Sequence, residues 1–399
     1  MSEPFAAARV TDHVYWVGGV DWALRDFHGY STERGTTYNA FLILADKITL
    51  VDTVRAPFYE EMMSRIASVI DPARIDYIIS NHSEMDHSGC LPQVIDRVKP
   101  EKVFVTENGA KALKAHFHRD FDFTIVEEGQ TVSLGNMNVS FIETRMLHWP
   151  DSMFTYLAED RLLFSQDGFG MHLASSQRFD DEIDDCILEH EAAKYYANIL
   201  LPFSQMAKAA LEKASKLDIA IIAPDHGPIW RKDIQRILDF YGRWAAQQPA
   251  RKALIAYDTM WGSTDAMAKA IEDGLAGEGV QVRSMRLREN HRSNVATEYL
   301  DAGAIIVGSP TLNNAMFPTV AETLSYLKGL RRKNLIGAVF GSYGWSGEAV
   351  TQIKEILTAM RVEMVADHIN VLYVPEKAAL MECRDLGVLV ARKLKERIA

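Results

Sequence analysis

With 399 residues, a hydrophobic fraction of 48% and a charged fraction of 24%, the chain has material for two ordinary globular cores. A net charge of -11 argues against a nucleic-acid partner. No apolar run is long enough to span a bilayer, and the start Met1-Ser2-Glu3-Pro4-Phe5-Ala6 lacks a basic stretch followed by an apolar core, so membrane and exported classes are set aside.

In chain order, Val14-Tyr15-Trp16-Val17 reads as a short strand. The runs 38–44 and 48–51 flank an Asp46-Lys47 turn and predict a hairpin. Met62, Ile66 and Ile70 share one stripe of a helix over 58–70. The apolar run 75–80 precedes a polar cluster. Strands follow at 102–106, 131–134, 138–143, 153–157 and 161–165, then helices over 184–201 and 204–217 and a last strand at 219–223. This order fits a sheet-on-sheet sandwich covered by helices. Gln247-Gln248-Pro249-Ala250 is the best boundary, giving domains 1–248 and 249–399. Beyond it, strands at 253–257, 280–287, 304–307 and 335–340 alternate with helical segments, the last over 384–398. Such alternation predicts a parallel sheet with helices on both faces.

His82-Ser83-Glu84-Met85-Asp86-His87 holds four metal-ligand side chains in six residues, directly after a strand. His148, Asp167 and His226 each follow a later strand. Strand ends along one rim hold sites. Any one of these residues alone reads as an ordinary turn or core residue; together they read as a metal constellation. Asp52 reads equally as a support behind such a site or as a turn residue. His13, His116, His118, His172, His190, His291 and His368 read as ordinary histidines.

The pattern resembles the metallo-β-lactamase superfamily, with Glu84 where zinc hydrolases carry a second histidine. That variant is similar to the flavodiiron proteins (A-type flavoproteins), and the resemblance covers the entire chain. It implies a metallo-β-lactamase-like αββα sandwich followed by a flavodoxin-like, doubly wound parallel sheet. It also implies one iron on His82, Glu84 and His148, a second on Asp86, His87 and His226, and Asp167 bridging both. His28 and Tyr195 match pocket-lining positions, although helical spacing cannot say whether Tyr195 or Tyr196 faces inward. Independently, two ferrous ions carry four positive charges, of which Glu84, Asp86 and Asp167 remove three. Three carboxylates suit a redox-active iron pair better than zinc.

Thr259-Met260-Trp261-Gly262-Ser263-Thr264 joins the first strand of the second half to a helix. A hydroxyl-rich loop at a helix N-terminus cradles phosphate. It has no Gly-Lys of a triphosphatase loop and no dinucleotide fingerprint. Two further loops, Ser309-Pro310-Thr311-Leu312-Asn313-Asn314 and Gly341-Ser342-Tyr343-Gly344-Trp345-Ser346-Gly347, follow later strands. Their order resembles flavodoxins and implies flavin mononucleotide (FMN).

The resemblance implies reduction of O₂ to water and/or of NO to N₂O in a reducing cytoplasm, which three sparse cysteines also suit. Without a Cys-x-x-Cys pair there is no internal rubredoxin, so electrons are expected from a separate donor: rubredoxin by resemblance, or a reduced deazaflavin. A head-to-tail homodimer, or a tetramer built from it, is expected to bring one subunit's flavin to the other's irons. The basic run Lys328-Gly329-Leu330-Arg331-Arg332-Lys333 reads as a solvated loop or as a docking patch for an acidic donor. The rival reading is a zinc-dependent hydrolase with an attached flavodoxin domain, which leaves Glu84 unexplained.

Overall fold

Two-residue alternation along short strands builds the first half. Phe41 and Ile43 face one core while Leu42 between them faces another; Tyr77 and Ile79 likewise oppose Ile78. A computed structural model describes residues 3–398 of the chain; Met1 and Ser2 of the start, and the outer domain limits 1 and 399, lie outside the described residues. Seven strands form one sheet, in the order Ala8–Arg9, Val14–Trp16, Phe41–Ile43, Thr49–Val51, Tyr77–Ile79, Lys102–Val105, Phe123–Ile125. Five form a second: Thr131–Ser133, Asn138–Glu143, Met153–Leu157, Leu162–Phe164, Ile221–Ala223. Between them lie Trp16, Phe41, Phe104, Phe141 and Phe164. On the outer face of the first sheet, Leu42, Leu50 and Ile78 meet Met62 and Ile66 of helix Tyr59–Ala67, Val94 of helix Leu91–Val98 and Leu113 of helix Glu107–Phe117. The last two helices have no counterpart among the predicted elements.

The hairpin forms with Leu42 opposite Leu50. The expected strand 38–44 is broken, however, at Asn39. Its side-chain amide donates to the Pro224 and Gly227 carbonyls, its Oδ1 accepts from the Trp16 indole, and its backbone N–H donates to the Asp225 carbonyl at 2.7 Å. Asn39 thus gives up the ladder to fix the loop that carries His226. The expected helix 184–201 is α-helical over Asp185–Tyr195 and widens into a π turn over Tyr196–Leu200. Pro202, without an N–H, stops its continuation.

In the second half, the sheet order is Gln281–Arg286, Ala250–Tyr257, Ala302–Leu312, Ile336–Tyr343, with Glu363–Met364 and Ile369–Leu372 both along the last strand. Every pairing among them is parallel. The interrupted final strand is not among the predicted ones. The terminal helix runs Lys377–Ile398, longer than expected, beginning two residues after Pro375. It crosses helix Ser263–Gly277 where a Cβ on Gly387 would meet the Ile271 carbonyl at 2.2 Å.

The chain divides into two units: one of the residues up to His28, Thr32–Tyr195 and Gln205–Gly242, the other of Gly29–Ser31, Tyr196–Ser204 and the residues from Arg243 on. No helix among the described residues is long and apolar enough to cross a membrane.

Candidate metal centre and phosphate cradle

Three strands of the sandwich end three residues before a candidate ligand: Ile79 before His82, Phe164 before Asp167 and Ala223 before His226. Strands Leu162–Phe164 and Ile221–Ala223 are parallel neighbours, so their ligands leave from the same rim. Glu84 precedes the short helix Met85–Ser88, which carries Asp86 and His87. His148 follows strand Asn138–Glu143.

These seven side chains gather into two groups, His82, Glu84, His148 and Asp167 in one, Asp86, His87 and His226 in the other; within each group the ligand atoms lie within 4.8 Å of one another. His82 Nε2 is 3.2 Å from Glu84 Oε2 and 3.2 Å from Asp167 Oδ2. His148 Nε2 is 3.2 Å and 3.1 Å from the same two oxygens. The other oxygen of Asp167, Oδ1, lies 3.3 Å from His87 Nε2 and 3.6 Å from His226 Nε2. Asp86 completes that group, with Oδ1 3.4 Å from His87 Nε2 and Oδ2 3.1 Å from His226 Nε2. Donors bound at about 2.0–2.2 Å to one ion sit roughly 2.9–3.6 Å apart, so both groups fit an ion. Both Asp86 oxygens, His87 Nε2 and Asp167 Oδ2 are buried without hydrogen bonds, which a protein tolerates where a cation satisfies them.

Electrostatics inside the cluster point the same way. Burial opposes charge on Glu84, but hydrogen bonds with His148, His28 and His82 hold its carboxyl far below the usual range. Burial opposes protonation of His148, and contacts with Asp167 and Glu84 outweigh it, lifting the imidazole to about 9. The carboxylates thus hold positive charge beside them.

The remaining imidazole nitrogens are oriented from behind. His226 Nδ1 lies 2.6 Å from the Thr37 carbonyl. His82 Nδ1 is 3.4 Å from Asp151 Oδ2, which also accepts the Ser83 N–H at 2.6 Å. His87 Nδ1 is 3.5 Å from Asp225 Oδ2. Asp52 accepts both the backbone and side-chain N–H of Asn81, at 2.7 and 2.6 Å, and so fixes the residue before His82. Sequence reasoning passed over Asp151 and Asp225, although each lies within three residues of a ligand.

His28 Nε2 is 2.6 Å from Glu84 Oε1. The Tyr195 hydroxyl donates to Asp167 Oδ1 at 2.9 Å, whereas the Tyr196 hydroxyl meets Ser204 Oγ at 3.4 Å. His172, read as an ordinary histidine, is buried beside the cluster. Its ring centroid lies 4.6 Å from that of His226 and 5.0 Å from that of Tyr195, and its Nδ1 is 2.8 Å from Thr36 Oγ1. Burial and the neighbouring His226 keep it neutral. Nothing in its sequence context separates it from the other histidines.

In the second unit, the three loops surround a cavity of about 520 Å³ lined by Thr259, Met260, Trp261 and Ser263, by 310–314 and by 342–346. Tyr373, absent from the sequence reading, completes the wall. Gly262, Thr264, Ser309, Gly341 and Gly347 stand outside the lining. Gly262, at φ 92°, makes the turn and donates to Thr259 Oγ1; Thr264 Oγ1 lies 3.0 Å from Ser342 Oγ. Asn313 and Asn314, both at positive φ, turn strand Ala302–Leu312 back on Ala315–Met316. Among the described residues the lining holds hydroxyls, amides and aromatics and no charged side chain. Trp261 is 95% and Trp345 89% exposed. Such a wall fits a phosphate with a flat ring.

Residues 36–227 match the family model described as ODP family beta lactamase, and residues 255–387 match Flavodoxin. Over the full length of both chains, the sequence is 49% identical to the nitric oxide reductase of Moorella thermoacetica. It is 44% identical to the rubredoxin-oxygen oxidoreductase of Megalodesulfovibrio gigas, covering 98% of this chain and 99% of that one. It is 39% identical to the coenzyme F420H(2) oxidase of Methanothermobacter marburgensis, with the same coverage. Among solved structures, rubredoxin oxygen:oxidoreductase from Desulfovibrio gigas superposes with a TM-score of 0.96 at 44% identity, covering 98% and 100% of the two chains. The flavodiiron protein from Giardia intestinalis gives 0.94 at 35%, covering 98% and 97%.

Proposed function

Because the chain belongs to the flavodiiron protein family, we propose that it reduces O₂ to water and/or NO to N₂O. The observation that carries this reading is Asp167, which offers one carboxylate oxygen to each ligand group. His82, Glu84 and His148 would hold one iron, Asp86, His87 and His226 the other. The cavity of the second unit would hold FMN. When bound, the irons and flavin supply electrons, four for O₂ with four protons, two for a pair of NO with two protons.

The chain's own part is placement and proton handling. Tyr195 fixes the torsion of Asp167. His28 Nε2 shares a proton with Glu84 Oε1, and its half-exposed ring can exchange that proton with solvent. Neutral His172 and the Phe27 ring, 5.1 Å apart, make an apolar wall beside His226. Such a wall limits water at the site and loss of partly reduced oxygen.

Electrons come from a separate donor in this reading. Rubredoxin is favoured because the Megalodesulfovibrio gigas relative is a rubredoxin-oxygen oxidoreductase; a reduced deazaflavin is the second candidate, since the Methanothermobacter marburgensis relative is a coenzyme F420H(2) oxidase. The homodimer, or a tetramer of such dimers, rests on the family resemblance and on the exposed Trp261 and Trp345 beside the flavin cavity, which a second copy would cover. Free Cys90, Cys186 and Cys383 suit a reducing cytoplasm. Anaerobic stopped-flow of the reduced protein against each gas tests the function. Fast reoxidation by at least one gas supports it; inertness toward both, with iron and flavin loaded, refutes it.

A further inference from the structure

The basic run 328–333 opens onto a second cavity, of about 550 Å³, in the flavodoxin-like unit. Among the described residues its lining carries six cations, Lys328, Arg331, Arg332, Lys333, Arg361 and Arg397, and no carboxylate. Leu327, Ala359 and Met360 supply an apolar side. Among the described residues, only Arg397 of these cations is in an ion pair, with Glu363 at 2.7 Å. Three helices, Pro318–Gly329, Glu348–Ala359 and Lys377–Ile398, end here. Each C-terminus contributes roughly -0.5 charge, so together they offset fewer than two of the six positive charges.

Arg332 is the informative residue. It is 3% exposed. Its terminal nitrogens donate to the carbonyls of Gln247, Lys333, Gln248 and Ala302, and its Nε has no partner. Among the described residues no carboxylate bonds it; Asp301 is engaged by Lys252 at 2.7 Å. A buried guanidinium held only by carbonyls lacks its counter-charge.

We infer that this cavity binds an organic polyphosphate of nucleotide size, the phosphates on the exposed Arg331, Lys333 and Arg361, with buried Arg332 adding its charge from behind, and the organic part on Ala359 and Met360. The volume lies in the range of small-molecule sites, and guanidinium groups match phosphate geometry. Docking of an electron donor fits less well. The cavity lies before the start of strand Ile336–Tyr343, and the flavin loops follow that strand's far end. Eight residues at about 3.3 Å each place them roughly 26 Å apart.

Calorimetric titration of the flavin-loaded protein with ADP, at low and high salt, tests the site. Binding with a Kd of about 1–100 µM is expected, weakened at least about tenfold by Arg331→Glu with Lys333→Glu and, separately, by Arg361→Glu. All three residues are exposed, so flavin content and circular dichroism should not change. No ADP binding at about 1 mM, or binding indifferent to both variants, overturns the assignment. So does the outcome in which the variants slow electron transfer from an acidic redox protein while the parent takes up no ADP.

Discussion

The Tyr195 hydroxyl donates to Asp167 Oδ1 at 2.9 Å, and that same oxygen faces His87 and His226. One phenol therefore sets the direction of the carboxylate shared by the two ligand groups. A hydrogen bond to a charged group is worth about 1.5–3 kcal/mol, so Tyr195→Phe should lower turnover roughly 10–100-fold with metal content preserved. Steady-state gas consumption beside metal analysis checks this. Unchanged turnover would show that Asp167 needs no such support.

Glu84 touches His82, His148 and His28. Glu84→His replaces an oxygen donor with nitrogen and removes one negative charge, which moves the site toward zinc. Equilibration with equimolar iron and zinc should leave the variant with a higher zinc-to-iron ratio than the parent. An equal ratio would mean that Glu84 does not set metal preference.

Behind His87 stands Asp225, whose carboxyl is pushed well up by burial and by Asp52 and Asp167 nearby. Partners in this position orient the imidazole, and losing one typically costs 10–100-fold in metal affinity. Asp225→Asn should release roughly half of the metal to a chelator that leaves the parent intact. Full retention would reduce Asp225 to a packing role.

Glu191 is 5% exposed, and burial lifts its carboxyl to about 7 against the opposing charges of Lys194 and Arg34. Its folded value is thus above its unfolded one. The neutral form adds stability that is fully present below the unfolded value of 4.5 and is lost as pH rises through about 7. Glu191→Gln should raise the melting temperature at pH about 8, by no more than about 3 kcal/mol of stability, and leave it unchanged at pH about 4.5. A melting-temperature difference independent of pH would contradict this.

Local periodicity made much of the fold legible. The Leu42–Leu50 hairpin and the parallel second sheet follow from alternation and from strand–helix rhythm. Asn39 did not, because its strand-like neighbours hide a side chain that bonds a loop 185 residues away. The seven candidate ligands stood out by residue type after strand ends. Tyr195 could not be told from Tyr196, since neighbours on a helix differ by about 100° and both are buried. His172 was illegible for another reason: its place depends on Thr36 and Tyr195, from distant parts of the chain.

Seven side chains are proposed to hold a pair of irons. Elemental analysis of anaerobically purified protein, beside the Asp167→Ala variant, decides whether they do. Two irons per parent chain, little zinc, and loss of both irons in the variant are expected. Zinc at full occupancy in the parent, or iron retained without Asp167, would contradict this.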